Sequence, residues 1–165
     1  MQAQTTTIPY HDKSQFYKEL HSELLGIAEK EWFVNLANAA ALLKQHLPQI
    51  NWSGFYLNRN SELLLASFQG LPACTRIAFG KGVCGTAAQQ KKTLLVDDVD
   101  QFPGHIVCDG ASRSEIVVPM ILGNRVLGVL DIDAPVLARF TREDQEGLEL
   151  FVQILLEVTD WPYRF

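Results

Sequence analysis

The hydrophobic residues of this chain change their spacing at Pro48, and this change limits the folds that the chain can adopt. Before Pro48 they recur every three or four positions, which is typical of helices that bury one face. After it, apolar and aromatic residues form short runs between polar turns, which is typical of strands. The helical positions are Phe16, Leu20, Leu24, Trp32, Leu36, Ala40, Leu43 and Leu47. The sequence therefore predicts two opening helices followed by a sheet.

The rest of the chain gives the order of the predicted elements. Residues 1–13 are expected to form a loose N-terminal tail, and residues 14–165 a single domain. Strands are predicted at 51–57, 62–68, 75–79, 93–96, 115–122 and 125–133, a short helix at 86–92, and a closing helix after the capping signature at Thr141. This order predicts an α+β fold, a central antiparallel sheet with helices packed on it.

The composition excludes several classes of protein. The 165 residues are 47% hydrophobic and 20% charged, as in ordinary globular domains. No apolar run approaches the roughly 20 residues of a membrane-spanning helix, and the first residues lack the plan of a signal peptide, so we expect a cytoplasmic protein without membrane contact. The net charge of -5 is spread along the chain without a basic stripe, which argues against nucleic-acid binding.

Three cysteines are the candidate reactive groups. Their odd number and the reducing cytosol argue against structural disulfides, so the thiols are either buried and inert or chemically active. Cys84 begins a predicted helix, where backbone amides and the helix dipole favour a thiolate. Cys108 follows His105 in a long polar loop at 97–113. Cys74 stands at the start of a strand, where a small buried apolar side chain is an equally good interpretation.

Two other kinds of site find only weak support. Gly80, Gly82 and Gly85 match the spacing of a dinucleotide-binding loop, but no strand-helix-strand unit surrounds them, which favours a tight turn. A zinc site would need dispersed ligands, because no two cysteines are separated by two residues. Its ligands would be Cys74, Cys84, Cys108 and His105. We therefore expect neither a metal nor a bound cofactor.

A second group of candidate residues is acidic. Glu115 begins one predicted strand, and Asp131 and Asp133 end its hairpin partner on one face, because side chains alternate along a strand. A turn at 123–124 sets a register that brings Glu115 level with about Ile132. We therefore expect three carboxylates at one end of the sheet, either as solvated strand ends or as a functional cluster. Their apolar neighbours favour a function.

Four segments of the chain resemble the free methionine-R-sulfoxide reductases, which are GAF-domain enzymes. They are NWSGFYL (51–57), FGKGVCGTAA (79–88), QFPGHIVCDGASRSEIVVP (101–119) and GVLDIDAP (128–135). The likeness extends from about residue 16 to residue 151. It includes all three cysteines at the spacing of the family, whereas a generic GAF domain lacks these cysteines. The resemblance implies a GAF-like fold.

The resemblance also implies a role for each candidate residue. Cys108 would be the nucleophile, Cys74 the principal resolving thiol, and Cys84 a second thiol able to enter disulfide exchange. The implied substrate-binding residues are Glu115, Asp131 and Asp133, which hold the ammonium and polarise or protonate the sulfoxide oxygen, and Trp52 and Tyr56, which surround the methyl group. Glu115 and Asp133 are the candidate proton donors.

Thiol chemistry agrees with these roles. A sulfoxide needs a proton on its oxygen before a thiolate attacks its sulfur, and a carboxyl in a partly apolar pocket has the raised pKa for that task. The resulting sulfenic acid condenses with a second thiol, and an external dithiol such as thioredoxin reduces the disulfide. We therefore predict a thioredoxin-dependent reductase of free methionine-R-sulfoxide and leave a homodimer open. The alternative is a GAF module that senses a small ligand or redox state without turnover.

Overall fold

The computed structural model describes residues 8–165, and in that part the predicted order of elements is confirmed. The helices are α1 (Lys13–Ile27), α2 (Trp32–His46), α3 (Gly82–Gln90) and α4 (Arg142–Val158). The strands are β1 (Trp52–Arg59), β2 (Glu62–Gln69), β3 (Arg76–Ala78), β4 (Leu94–Val96), β5 (Ser114–Leu122) and β6 (Arg125–Ala134). A 3₁₀ turn, Val99–Gln101, lies inside the long loop. Among the described helices, none is long and apolar enough to cross a membrane.

All six strands form one antiparallel sheet in the order β3-β2-β1-β6-β5-β4, which confirms the α+β class. Neighbouring side chains point to opposite faces of the sheet. Ile116 and Ile132 belong to the main core, which also holds the buried residues of α1, α2 and α4. Val117 and Val129 belong to a second cluster, with the buried side of α3. The candidate acids, at odd-numbered positions of β5 and β6, therefore face α3.

The glycine-rich segment brings α3 close to the sheet. We expected the helix to begin near residue 86, but it begins at Gly82, inside the predicted turn. Gly80 and Gly82 have φ of +80° and +58°, a region that favours glycine. A Cβ on Gly85 would lie 2.3 Å from the carbonyl oxygen of Ala78. Gly80 and Gly82 therefore allow a tight turn, and Gly85 allows α3 to pack closely against β3.

The chain is packed earlier than the predicted tail boundary. We expected residues 1–13 to be loose; residues 1–7 of that tail lie outside the described part. Ile8 is buried in the main core. The hydroxyl of Tyr10 donates to Asp144 and accepts from Arg139. The packed domain therefore begins before position 14, because Ile8 is buried in the core and Tyr10 is hydrogen-bonded to the rest of the domain.

The hairpin of β5 and β6 has a register one residue away from the predicted one. Glu115 pairs with Asp133 rather than with Ile132. The register shifts between Met120 and Ile121, where β6 contributes one residue more than β5, as in a β-bulge. The shift places the two acids directly opposite each other at the same end of the sheet.

Candidate active site

A small cavity lies where the neighbouring ends of β5 and β6 meet the start of α3 and the loop at 104–112. Its volume is about 30 Å³, enough for one or two water molecules but not for an amino acid. Its walls include all three candidate acids and two of the three cysteines. They comprise Tyr56, Cys84, His105, Ile106, Cys108, Asp109, Ser112, Glu115, Asp131 and Asp133, among others. The fold therefore collects most of the predicted site residues in one place.

Cys74 and Cys108 are joined by a disulfide, with their Cα atoms 5.4 Å apart. Cys74 lies between β2 and β3, and Cys108 lies in the loop that precedes β5. The hydroxyl of Tyr56 donates to the carbonyl oxygen of Cys74 at 2.9 Å, which holds the backbone of this cysteine beside the cavity. Both cysteines are half-buried. The structure is therefore that of the oxidised protein, with a narrow cavity beside the disulfide.

The three acids form a cluster whose ionisation is suppressed, with Glu115 and Asp131 buried and Asp133 half-buried. Burial raises the pKa of Glu115 well above its usual range, and the charges of Asp131 and Asp133 raise it further. Burial also raises the pKa of Asp133, with a further contribution from the charge of Asp131. The pKa of Asp131 is raised by burial to about 6. All three carboxyls therefore hold their protons more strongly than exposed carboxyls do.

One oxygen of the acid group has no partner. Oδ1 of Asp131 is buried and accepts no hydrogen bond from any described residue. An unsatisfied buried acceptor costs about 1–3 kcal/mol. Because Asp131 lines the cavity, this oxygen is available to a hydrogen-bond donor that enters there.

Cys84 does not have the environment that its place in the sequence predicts. The start of α3 favours a thiolate, but the side chain is only 4% exposed. Its thiol donates to Oε1 of Glu115 at 3.8 Å. Burial raises the pKa of Cys84 well above its usual range, and the charges of Asp131 and Glu115 raise it further. The expectation of an activated thiolate is therefore wrong for this form, because desolvation and neighbouring acids outweigh the helix dipole.

Only one of the two predicted aromatic residues lines the cavity. Tyr56 does so, whereas Trp52 lies behind it, 2% exposed. The Trp52 ring stacks on Tyr56 and Phe68, with centroid distances of 6.0 and 5.3 Å. Its Nε1 donates to the carbonyl oxygen of Leu71 at 3.1 Å. In the oxidised form Trp52 therefore supports Tyr56 and the segment that leads to Cys74.

Two polar residues of the cavity wall, His105 and Asp109, were not predicted to take part in catalysis, although His105 was named as a possible zinc ligand. Nε2 of His105 lies 3.9 Å from Oε2 of Glu115, and burial lowers the pKa of this histidine. Asp109 accepts a hydrogen bond from Nδ2 of Asn51 at 2.9 Å, which ties the loop to the residue before β1. The only sequence signal for either residue is that each lies within three positions of Cys108.

The zinc ligands considered in the sequence analysis do not form a metal site in the oxidised protein. Cys74 and Cys108 are bonded to each other, so neither sulfur is free to bind a metal. Cys84, Glu115 and Asp131 each offer a ligand atom, and these atoms lie within 4.8 Å of one another. Because carboxylates also attract an ammonium group, this cluster suits a cationic group of a ligand in general.

Comparison with known proteins places the chain among close relatives. The family model described as "GAF domain" matches residues 34–156. The free methionine-R-sulfoxide reductase of Escherichia coli is 46% identical over 93% of this chain and 96% of its own. That of Saccharomyces cerevisiae is 43% identical over 87% and 86%. The X-ray structure of free methionine-R-sulfoxide reductase from Neisseria meningitidis in complex with its substrate superposes with a TM-score of 0.84, at 41% identity over 92% of each chain.

Proposed function

The chain belongs to the GAF-domain family of free methionine-R-sulfoxide reductases, and we propose that it reduces its substrate with Cys108 as the nucleophile. The observation that carries this assignment is the Cys74–Cys108 disulfide beside a buried group of acids. A thiol pair supplies the two electrons of the reduction, and the acids supply the proton that a sulfoxide requires. A module that only senses a ligand needs neither the thiol pair nor the acids, and a module that senses redox state needs the thiol pair but not the acids.

Substrate recognition rests on the acids and on Tyr56. The ionised Asp131, with its unpartnered Oδ1, accepts hydrogen bonds from the substrate ammonium. The ring of Tyr56 bounds the methyl group, with Trp52 stacked behind it. A free amino acid carries an ammonium group that a methionine inside a peptide lacks, so this arrangement favours the free form.

The chemical step uses the acids that keep their protons. Glu115 or Asp133 donates a proton to the sulfoxide oxygen, which makes the sulfur electrophilic. The Cys108 thiolate attacks that sulfur and forms a transient sulfur-sulfur bond. The hydroxyl group then passes from the substrate sulfur to the Cys108 sulfur as the sulfur-oxygen bond and the transient sulfur-sulfur bond break, so that methionine leaves and Cys108 becomes a sulfenic acid. His105, 3.9 Å from Glu115, lies where it can pass protons between solvent and this carboxyl.

Resolution of the sulfenic acid returns the protein to the form described here. The thiol of Cys74 attacks the sulfenic sulfur of Cys108, water leaves, and the disulfide forms. Cys84, buried against Glu115, is the second thiol, able to exchange into this bond when the loop moves. Thioredoxin, or another external dithiol, then reduces the disulfide, so that no bound cofactor is needed. The setting we propose is the cytoplasm, with a homodimer as the candidate assembly.

The proposed function is tested by a coupled assay. Nicotinamide oxidation is followed with thioredoxin and its reductase, and free methionine-R-sulfoxide, the free S epimer and a peptide-embedded sulfoxide are supplied separately. We expect turnover with the free R epimer alone. Absence of turnover with a demonstrably active reductant, together with saturable binding of the sulfoxide, would instead support the ligand-sensing module.

A further inference from the structure

We propose that the protein dithiol that regenerates this enzyme docks on an apolar patch around the disulfide and attacks the sulfur of Cys74, not that of Cys108. The patch consists of Leu71, Ile106 and Val107, and we call it the disulfide patch. This inference rests on the proposed function, since it concerns the recycling of the same disulfide. It adds a docking surface and a direction of attack.

The disulfide patch is exposed although its members are large and apolar. Leu71 is 64% exposed and lies three residues before Cys74. Val107 is 67% exposed and directly precedes Cys108, and Ile106 beside it is 36% exposed. The two chain segments that carry these residues are held together by the disulfide, with Cα atoms 5.4 Å apart. Exposed apolar side chains that flank a reactive group are a frequent mark of a protein-binding surface.

The chemistry of the disulfide determines what covers this patch. Only another thiol restores a disulfide to its two thiols by exchange, and the attacking sulfur must come into contact with one of the bonded sulfurs. A protein that brings a cysteine to this bond covers side chains within three residues of it on both segments. The occupant is therefore a protein with an accessible dithiol and an apolar contact face.

The surroundings of the two sulfurs favour attack on Cys74. Cys108 lines the narrow cavity beside the acids, whereas Cys74 does not. The cavity holds about 30 Å³ and contains Glu115, Asp131 and Asp133, so it admits no side chain of a partner. Any charge on these acids also repels an approaching thiolate. On its cavity side, Cys108 is therefore reached only through a space too narrow for a side chain of the partner, and we infer that the approach from the patch leads to Cys74.

The exchange is balanced in two steps. The partner thiolate forms a bond to the sulfur of Cys74, the Cys74–Cys108 bond breaks, and Cys108 leaves as a thiolate that takes up a proton from water. The second thiolate of the partner then attacks its own first sulfur, which releases Cys74 as a thiolate and leaves the partner oxidised. The enzyme gains two electrons and two protons, and the partner loses them.

The direction of attack is tested by trapping the mixed disulfide. Thioredoxin in which the second cysteine of its dithiol is replaced by serine is mixed with the oxidised enzyme, and the product is digested without reductant and mapped by mass spectrometry. We expect thioredoxin joined to Cys74, with Cys108 free to react with an alkylating agent. Thioredoxin joined mainly to Cys108 would overturn the proposal but leave the proposed function intact. Failure of unmodified thioredoxin to reduce the disulfide would overturn both the proposal and the assigned reductant.

The docking surface is tested with surface variants. In Leu71→Ser and Val107→Ser, we expect the KM for thioredoxin to rise about fivefold to tenfold, as at side chains central to an interface. Turnover supported by dithiothreitol, which needs no docking surface, stays within about twofold of the unsubstituted enzyme. Leu25→Ser is the matched control, since Leu25 is 54% exposed on α1, at the opposite face of the sheet. An unchanged KM in both patch variants, or an equal rise in the control, would contradict the docking surface.

Discussion

The sulfur of Cys84 lies 3.8 Å from Oε1 of Glu115, and both residues are at most 5% exposed. The thiol is the hydrogen-bond donor, so the contact stabilises the protonated form of Cys84. Cys84 is thus a protonated thiol in the wall of the cavity, while the other two cysteines form the disulfide.

We predict that Cys84 of the folded, oxidised protein resists alkylation. Its raised pKa leaves little thiolate at pH 7–8, and its burial blocks the reagent. Iodoacetamide labelling followed by mass spectrometry should show labelling at least about 100-fold slower than in the urea-unfolded chain, in which Cys84 is the one free thiol. Equal rates in the two states would show that the thiol is exposed or ionised.

We predict that the oxidised protein does not bind free methionine sulfoxide. The cavity of about 30 Å³ is too small for the amino acid, and the disulfide holds the loop that closes it. The Cys108→Ser variant cannot form this bond, so its loop is free to move away. Isothermal titration should detect saturable binding to that variant and none to the oxidised enzyme. Binding of similar strength to both would mean that the loop opens without reduction.

We predict that Asp131→Asn stabilises the fold at neutral pH and weakens substrate binding. Burial raises the pKa of Asp131 from 3.8 to about 6 in the folded protein. Below about pH 3 the carboxyl is protonated in both states. Between about pH 4 and pH 6 the unfolded chain ionises first, so the free energy of unfolding falls as pH rises, and the loss is complete above pH 6. An asparagine at this position does not ionise, so the free energy of unfolding of the variant is not lowered in this way as pH rises.

The size of this effect follows from the pKa difference. About two units correspond to roughly 3 kcal/mol, so we expect urea unfolding to show a gain on the order of 2 kcal/mol at pH 8 and little gain at pH 4. The KM for the sulfoxide rises about tenfold or more. Asp97→Asn is the control, because Asp97 is exposed and no partner holds its carboxylate among the described residues. A gain of equal size at both pH values would argue against a buried ionisable Asp131.

The sequence was sufficient to predict which residues gather at the site, because the alternation of side chains along strands is a strong constraint. Asp131 and Asp133 are two residues apart on β6, so they share a face, and the Gly123-Asn124 turn brings Glu115 to the same end. The register could not be obtained in the same way. The single extra residue in β6 cannot be recognised from the hydrophobic pattern, yet it moves the partner of Glu115 by one position.

The surroundings of individual side chains could not be predicted from their neighbours in the sequence. Cys84 stands at a helix start, which favours a thiolate, but its pKa is decided by acids that come from β5 and β6. Trp52 and Tyr56 point to the same face, but stacking places one ring behind the other. Both outcomes depend on packing between segments that are distant in sequence.

The central claim, that Cys108 is the nucleophile and Cys74 resolves its sulfenic acid, is tested most directly without any external reductant. Pre-reduced proteins are mixed with excess free methionine-R-sulfoxide, and methionine and the masses of the cysteine peptides are measured. We predict about one methionine per chain for the unsubstituted enzyme, with the Cys74–Cys108 disulfide, and about one for Cys74→Ser, with about 16 Da added at Cys108. Cys108→Ser should give none. Methionine formed by Cys108→Ser would contradict the account.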